Sequence, residues 1–357
     1  MKNSILCTSF ALSTLALAGS PNNSLITPGA GQRGTEVEVV LSGARLMDAR
    51  SLLFNEPGIE VVSVAEAEAG KFKAKLKIAA DARLGEYVFR AVTSSGIADT
   101  RLFYVSPYPV QKEADEEKVG LVSHGLDRSV KLLLPPGGAA GKPVVFVWHP
   151  LGGTANYMIN LLDLRGYAEV ADAVVVVVSA SGAYEYEWAF AGDGADNDDL
   201  VLYDDLRTCL YEQLDIDLGR VSSIGFSAGA LWTSFLSLHR GDTLSAILPF
   251  SGGTDPVIPY ETPAAPFPAL LNYGGADDLY GGGVVDFQET TLNFATSLTE
   301  DGHFTVVCNH ERGHSVPPEG RDMMDLWLTA HVYGEPSPFL QDISGFPDYC
   351  SVFATGG

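Results

Sequence analysis

A serine between two glycines is the strongest chemical signal in this chain of 357 residues. Residues 221–230 read Val-Ser-Ser-Ile-Gly-Phe-Ser-Ala-Gly-Ala, which places Gly225, Ser227 and Gly229 in a G-x-S-x-G pattern. An apolar strand pattern precedes this serine, and a helical pattern follows it. Such a context is typical of a nucleophile elbow, where small neighbours leave room for a strained serine backbone. We therefore predict that Ser227 is a nucleophile.

A serine hydroxyl needs a base to remove its proton, and histidine suits this role near neutral pH. An apolar run, 304–308, ends in Asn-His-Glu-Arg-Gly-His at positions 309–314. We predict His314 as the base, because the flexible Gly313 directly precedes it. His310 is the competing candidate, and its alternative role is a structural hydrogen bond at the end of the strand.

A carboxylate must then orient the histidine, and in this type of site it lies between serine and histidine along the chain. The apolar run 269–273 is followed by Gly-Gly-Ala-Asp-Asp. An acid directly after a buried parallel strand lies at the same sheet edge as the elbow. We predict Asp277 as this acid, with Asp278 as the close alternative.

Backbone amides are the expected donors to the oxyanion that forms during attack on a carbonyl. One is the amide of Ala228, the residue after the nucleophile. The other should come from the loop His-Pro-Leu-Gly-Gly at 149–153, where proline has no N–H. Leu151 is the predicted donor and Gly152 the second choice. His149 is expected to brace this loop beside the substrate, rather than to act as a second base.

Two further loops carry candidate binding residues. The segment 184–190 is rich in aromatic side chains and follows an apolar run ending at Val178, at the same sheet edge. Trp188 is therefore predicted either to line a substrate subsite or to pack within a lid. The segment 193–199 is acidic, but it lacks the spacing of an EF-hand loop. The acidity of this segment suggests calcium, but without that spacing we predict no metal and no cofactor, and whether a calcium ion binds is left open.

The pattern from residue 116 to residue 335 predicts the scaffold for these groups. Continuous apolar runs indicate strands buried on both faces, near 144–148, 173–178, 221–226, 244–250, 269–273 and 304–308. Helical patterns alternate with them, near 155–171, 199–214, 230–239, 287–298 and 320–331. This alternation predicts an α/β fold with a doubly wound sheet. A C-terminal tail, 336–357, follows without a helical or strand period.

The stretch 22–107 has a different pattern, of short strands separated by turn residues. Residues 71–78 alternate strictly between lysine and apolar or small side chains. Several short strands at this spacing predict a small all-β sandwich. Because this stretch contains neither histidine nor cysteine, we expect no catalysis from it.

Composition and the N-terminus suggest a secreted protein. Residues 1–18 combine a lysine, an apolar run and an Ala-Leu-Ala end, as in a cleaved signal peptide. No other stretch is apolar enough to span a membrane. The formal net charge of −23 argues against nucleic acid or an anionic membrane as a partner. The oligomeric state is left open.

Three cysteines remain after the predicted leader, which contains Cys7. Cys209 lies in a helical pattern and is expected to be a buried thiol. We predict a disulfide between Cys308 and Cys350, because an exported chain meets an oxidising compartment and the tail needs a tether. The alternative is that all three thiols are free, since their number is odd.

The motifs together resemble the polyhydroxybutyrate depolymerase and feruloyl esterase-like group of secreted α/β-hydrolases. The resemblance covers roughly residues 119–331 and rests on the stretches 149–153, 225–229, 274–277 and 313–317. Two departures are Pro150, where the family usually has glycine, and Tyr273, where it usually has histidine. The region before it resembles the immunoglobulin-like modules found ahead of secreted bacterial hydrolases.

The resemblance implies a serine esterase that forms an acyl-enzyme. Its substrates would be short-chain hydroxyacid polyesters, or feruloyl or acetyl esters on plant polysaccharide, and the sequence does not choose between them. A serine peptidase of the same fold is one alternative. A non-catalytic surface-binding protein on a hydrolase scaffold is the other.

Overall fold

A computed structural model describes residues 22–44, 46, 49–66, 71–94, 96–98, 101–107, 118–191 and 197–354. The predicted leader, 1–18, and the predicted domain start at residue 116 lie outside these residues. Within the described part of the chain, none of the helices has the length and apolarity that crossing a membrane would require.

Residues 22–107, which we call the sandwich module, form two facing sheets. The strands are β1 (Asn22–Thr27), β2 (Ala30–Gln32), β3 (Glu36–Ala44), β4 (Ser51–Phe54), β5 (Ile59–Glu66), β6 (Lys71–Ile78), β7 (Gly85–Thr93), β8 (Gly96–Ile97) and β9 (Arg101–Ser106). One sheet has the order β1-β3-β6-β5 and the other β2-β9-β7-β4, with β8 paired to β7. In β6 every second residue is buried and the lysines are exposed, as the alternating pattern predicts.

The module has its own hydrophobic core between the two sheets. Phe72 and Leu76 of β6 pack in one cluster with Phe89 of β7 and Phe103 of β9, and all four side chains are at most 1% exposed. A small all-β module therefore precedes the α/β region, as the sequence predicts.

The remaining described residues form one large sheet flanked by helices. Its strands are β10 (Lys118–Ser123), β11 (Leu126–Leu133), β12 (Val144–Trp148), β13 (Val174–Ser179), β14 (Val221–Phe226), β15 (Ala246–Phe250), β16 (Ala269–Tyr273), β19 (Thr305–Asn309) and β20 (Cys350–Val352). A hairpin, β17 (Leu279–Tyr280) and β18 (Val285–Asp286), lies outside this sheet. The helices are α1 (Ala155–Leu161), α2 (Leu164–Val170), α3 (Asp198–Leu214), α4 (Ala228–Arg240), α5 (Phe287–Glu300) and α6 (Gly320–Ala330).

The strand order is β10-β11-β13-β12-β14-β15-β16-β19-β20. The six strands from β13 to β19 pair in parallel, whereas β10, β11 and β20 are antiparallel additions at the two edges. Because the strands are parallel, the loops after β12, β14, β16 and β19 all leave the same edge of the sheet. The prediction of a doubly wound α/β sheet is confirmed.

Three details differ from the sequence prediction. The helix expected over 155–171 is two helices, because Asp163 adopts a left-handed conformation (φ +45°) and caps α2. The tail is not separate from the sheet, since β20 pairs with β19. Cys209 is exposed rather than buried, because α3 turns Leu206 and Leu210 toward the core and leaves Cys209 on its outer side.

Candidate active site

The turn between β14 and α4 has the geometry of a nucleophile elbow. Ser227 has φ +54° and ψ −120°, a conformation that non-glycine residues rarely adopt and that marks functional strain. A Cβ on Gly225 would lie 2.0 Å from the carbonyl oxygen of Gly229. One on Gly229 would lie 2.2 Å from the carbonyl oxygen of Trp148 in β12. Both glycines are therefore required by close backbone approach.

His314 reaches this serine from the loop after β19. Its Nε2 atom lies 2.9 Å from Oγ of Ser227, and its Nδ1 atom lies 2.7 Å from Oδ1 of Asp278. The imidazole stacks on the ring of Phe287, with 4.6 Å between centroids, and lies 5.0 Å from that of Phe226. These two rings hold the imidazole in the plane that joins serine to carboxylate.

The carboxylate on His314 belongs to Asp278, so the expectation of Asp277 is wrong. Asp278 is fully buried, and its Oδ2 atom accepts hydrogen bonds from Ser251 Oγ and from the amide of Gly274, each at 2.8 Å. Asp277 is exposed. The cause is the turn after β16, in which the amide of Asp278 bonds back to the carbonyl of Gly275 and directs the second aspartate inward.

His310, the competing candidate base, lies at the end of β19 without reaching the serine. Its amide donates to the carbonyl of Tyr273, and its side chain is 5% exposed. Burial lowers the pKa of His310 to about 4, because the charged form is poorly solvated there. The structure therefore brings His314, not His310, to Ser227.

The loop after β12 lies directly over the start of α4. A Cβ built on Gly229 would lie 2.7 Å from the carbonyl oxygen of His149. The loop that contains Leu151 and the start of the helix that contains Ala228, the two predicted donors, are therefore in contact. The amide of Gly152 donates to Oε1 of Glu187 at 3.0 Å. Gly152 is thus engaged by the protein itself, which leaves Leu151 as the donor candidate from this loop.

His149 braces the loop and does not line the cleft. Its Nε2 atom accepts a hydrogen bond from the amide of Ala180 at 3.1 Å, so Nδ1 carries the proton. Nδ1 lies 3.0 Å from both the carbonyl oxygen of Pro150 and Oε2 of Glu187. His149 is 3% exposed, and its expected contact with substrate is wrong because both ring nitrogens serve the loop.

Trp188 is also a packing residue, so the prediction that it lines a substrate subsite is wrong. Its side chain is 1% exposed, and its Nε1 atom donates to the carbonyl of His149 at 2.9 Å. Its ring meets that of Trp148 edge to face at 5.2 Å. A ring enclosed in this way does not line the cleft.

Sequence reasoning missed Glu187, whose carboxylate joins the segment 184–190 to the loop 149–153 through Gly152 and His149. It has a left-handed backbone, φ +69°, and it lines the cleft. The only signal in the sequence was its position beside Trp188 in an acidic and aromatic segment. Its contacts could not be predicted, because its partners lie 35 residues away or more along the chain.

An open cleft of about 880 Å³ surrounds the serine and the histidine. The α/β region contributes Pro150, Leu151, Gly152, Gly153, Glu187, Ser227, Leu279, Tyr280, Arg312, Gly313 and His314. The sandwich module contributes Glu56, Arg83, Val88 and Arg101. The sequence did not predict that the module would line the cleft. This contribution depends on how the module packs against the α/β region.

Cys308 and Cys350 form a disulfide, which links β19 to β20 and closes a sequence separation of 42 residues. The acidic segment 193–199 is described only from residue 197. There Asp199 forms a buried ion pair with Arg128 at 2.7 Å. Among the described residues, no group of three or more His, Cys, Asp or Glu side chains is arranged to hold a metal ion.

No protein-family model matches the chain. It is 28% identical over 194 residues to a protein of Nocardia uniformis subsp. tsuyamanensis named "Putative esterase NocK", over 52% of this chain and 55% of that protein. The chain thus spans about half the length of this curated relative.

Solved structures with a similar fold include native pOPH and native sOPH. For pOPH the TM-score is 0.56 at 17% identity, covering 70% of this chain and 98% of the other. For sOPH the TM-score is 0.54 at 18% identity, covering 68% and 95%. At this level of identity the likeness concerns the fold. The chain has the α/β-hydrolase fold, preceded by a small β-sheet module.

Proposed function

We propose that this protein is a serine esterase that cleaves carboxylic esters through an acyl-enzyme on Ser227. The observation that carries the proposal is the continuous hydrogen-bonded chain from Asp278 through His314 to Ser227, open to the cleft. Nucleophile, base and orienting acid are hydrogen-bonded in the geometry that acyl transfer requires. The name of the Nocardia relative supports the same activity.

The residues act in a defined sequence. His314 Nε2 takes the proton from Ser227 as Oγ attacks the ester carbonyl carbon, while Asp278 holds Nδ1–H and stabilises the imidazolium. The amides of Leu151 and Ala228 stabilise the oxyanion by donating hydrogen bonds to it. Both are available for this role, since neither donates to a protein acceptor among the described residues. His314 then returns its proton to the departing alcohol, and water deacylates the serine by the reverse steps.

The finer substrate class follows from the resemblance to depolymerases and feruloyl esterases. A cleft of about 880 Å³ is larger than a short acyl chain needs and suits an oligomeric or polymeric ester. The leader-like residues 1–18 and the Cys308–Cys350 disulfide both support secretion into an oxidising compartment. The proposed partner is therefore an extracellular ester substrate.

The test is turnover of p-nitrophenyl acetate and butyrate, followed by polyhydroxybutyrate film, methyl ferulate and acetylated xylan. We expect ester cleavage that is lost in Ser227→Ala, and one polymer class cleaved in preference to the others. Cleavage of peptide amides with no ester turnover would replace the proposal with a peptidase. Absence of both activities in folded protein would favour a binding role.

A further inference from the structure

The sandwich module forms part of the wall of the cleft that contains Ser227. Arg83 precedes β7, Val88 lies on β7, and Arg101 begins β9, so the cleft meets one sheet of the module along two adjacent strands. Glu56, from the turn between β4 and β5, completes this wall. A substrate that fills the cleft must therefore contact the module.

The module is docked through buried contacts beside the His314 loop. Tyr104 of β9 is 1% exposed, and its hydroxyl donates to the carbonyl of Val316 at 3.4 Å. Its ring meets Tyr157 of α1 edge to face at 5.9 Å. Tyr104 and Ala30 belong to the same hydrophobic cluster as α1. Arg101 is three residues from this anchor, so its position relative to Ser227 is set by a packed interface.

The charge of the cleft is opposite to that of the chain. The chain has 45 acidic and 22 basic side chains, yet the cleft lining has three arginines and two glutamates. One of those glutamates, Glu187, is engaged by His149 and Gly152. An acidic protein repels anionic substrates at long range, so positive side chains in the cleft lining are needed to bind them.

Arg312 and Arg83 each form an ion pair with a neighbouring glutamate. Arg312 Nη1 lies 2.8 Å from Oε2 of Glu319, which also accepts from Tyr349 at 3.0 Å. Arg83 Nε lies 2.9 Å from Oε2 of Glu56 and Nη2 lies 3.0 Å from Oε1, and both side chains are about half exposed. Glu56 already makes the two-point contact that a carboxylate prefers, and because both side chains are exposed to solvent, a substrate carboxylate can compete with it for this guanidinium. Guanidinium groups bind carboxylates in a planar, two-point fashion.

We propose that Arg83 and Arg101 bind a carboxylate that the ester substrate carries away from its scissile bond, which makes the sandwich module a specificity element of the hydrolase. This inference rests on the proposed esterase activity. The substrate class is an ester with a free carboxylate, either a monoester of a dicarboxylic acid or a hydroxyacid oligomer with a free acid end.

The experiment compares charged and neutral esters of equal length on the full chain. Mono-p-nitrophenyl adipate and p-nitrophenyl hexanoate test an acyl-side carboxylate. The linear dimer of 3-hydroxybutyrate and its methyl ester test an alcohol-side carboxylate. We expect the wild type to prefer at least one charged member. Arg83→Gln/Arg101→Gln should lower kcat/KM for that ester about tenfold. Most of the loss should be in KM, because the contact is remote from the reacting bond.

Arg33→Gln/Arg50→Gln is the matched control, since it removes two exposed module charges that do not line the cleft. The neutral esters should change less than about twofold in the Arg33→Gln/Arg50→Gln control, and in Arg83→Gln/Arg101→Gln kcat/KM should fall more for the charged ester than for its neutral counterpart. A wild type without preference for either charged ester overturns the inference while leaving the esterase proposal standing. So does a preference that survives in Arg83→Gln/Arg101→Gln, or one that the control lowers equally.

A binding measurement separates this inference from the esterase proposal. Calorimetry with Ser227→Ala should detect monomethyl adipate, and adding Arg83→Gln and Arg101→Gln should weaken that binding about tenfold. Absence of binding by Ser227→Ala contradicts the carboxylate site, whether or not the wild type turns over esters. Absence of all ester turnover contradicts the proposed function, whether or not the acid binds.

Discussion

Asp278 lies with Oδ1 2.7 Å from Nδ1 of His314, although the neighbouring Asp277 points to solvent. The second oxygen of Asp278 accepts two more hydrogen bonds, from Ser251 and Gly274. A carboxylate that is fully buried and satisfied on both oxygens has one orientation available to it. This relationship separates two acids that are adjacent in sequence.

Asp278→Asn should lower kcat about a thousandfold or more, because an amide at this position no longer favours the His314 tautomer that accepts from serine. Asp277→Asn should change kcat less than about threefold, since substitutions of exposed residues outside hydrogen-bond networks have small effects. Steady-state kinetics on p-nitrophenyl butyrate compare the two variants. The reverse ranking would transfer the role to Asp277.

Ser227→Ala should abolish ester turnover, with a loss of at least about a thousandfold, because only the attacking oxygen is removed. The fold should be retained, since alanine fits the same elbow, and circular dichroism checks this. A variant that keeps a tenth of wild-type activity would place the nucleophile elsewhere.

Glu187→Gln should lower kcat about tenfold with little change in KM, because the loop that carries Leu151 loses its charged anchor to His149. Glu185→Gln is the matched control, since Glu185 is exposed in the same segment. An equal effect of both substitutions, or an effect on KM alone, would contradict a role in positioning the oxyanion loop.

Loss of the disulfide should destabilise the protein. Cys308→Ala/Cys350→Ala opens a 42-residue separation, which by loop-closure entropy lowers the free energy of unfolding by about 3–4 kcal/mol. Denaturant unfolding measures this, and Cys209→Ala should have little effect because Cys209 is exposed. Alkylation of unreduced, denatured protein without residues 1–18 should label one thiol. Labelling of three would exclude the bridge.

Acid should destabilise the fold through two buried histidines, His310 and His331, whose pKa values burial lowers to about 4. Both remain neutral in the folded protein above this pH, whereas in the unfolded chain they bind protons near pH 6.5. Their contribution is complete above about pH 6.5 and is lost as the pH falls toward 4, by about 3 kcal/mol per histidine.

Denaturant unfolding of His331→Gln between pH 7 and pH 4.5 tests this pH dependence. The variant should show a shallower fall in stability than the wild type, because the proton-binding difference of His331 is removed. His124→Gln serves as the control, since His124 is exposed. Parallel curves for wild type and His331→Gln would show that His331 does not contribute.

The sequence by itself determined the α/β region, the elbow at Ser227 and the two loops that end near the site. These features are local: apolar runs form buried strands, small residues permit the turn, and the loops after parallel strands share one edge. The alternation in 71–78 likewise predicted a strand with one face in a core. The pairing of Cys308 with Cys350 was expected because an exported chain meets an oxidising compartment and the C-terminal tail needs a tether.

Only the tertiary structure decided which of two adjacent aspartates faces His314, because a one-residue difference in a turn reverses burial and no local pattern encodes it. It also buried Trp188 and His149, which we had expected to contact substrate, because their ring nitrogens form hydrogen bonds with neighbouring loops. The contribution of Arg83 and Arg101 to the cleft depends on the docking of Tyr104 against Val316, a contact separated by 212 residues. Contacts between distant segments arise from packing, which strand and helix periods do not specify.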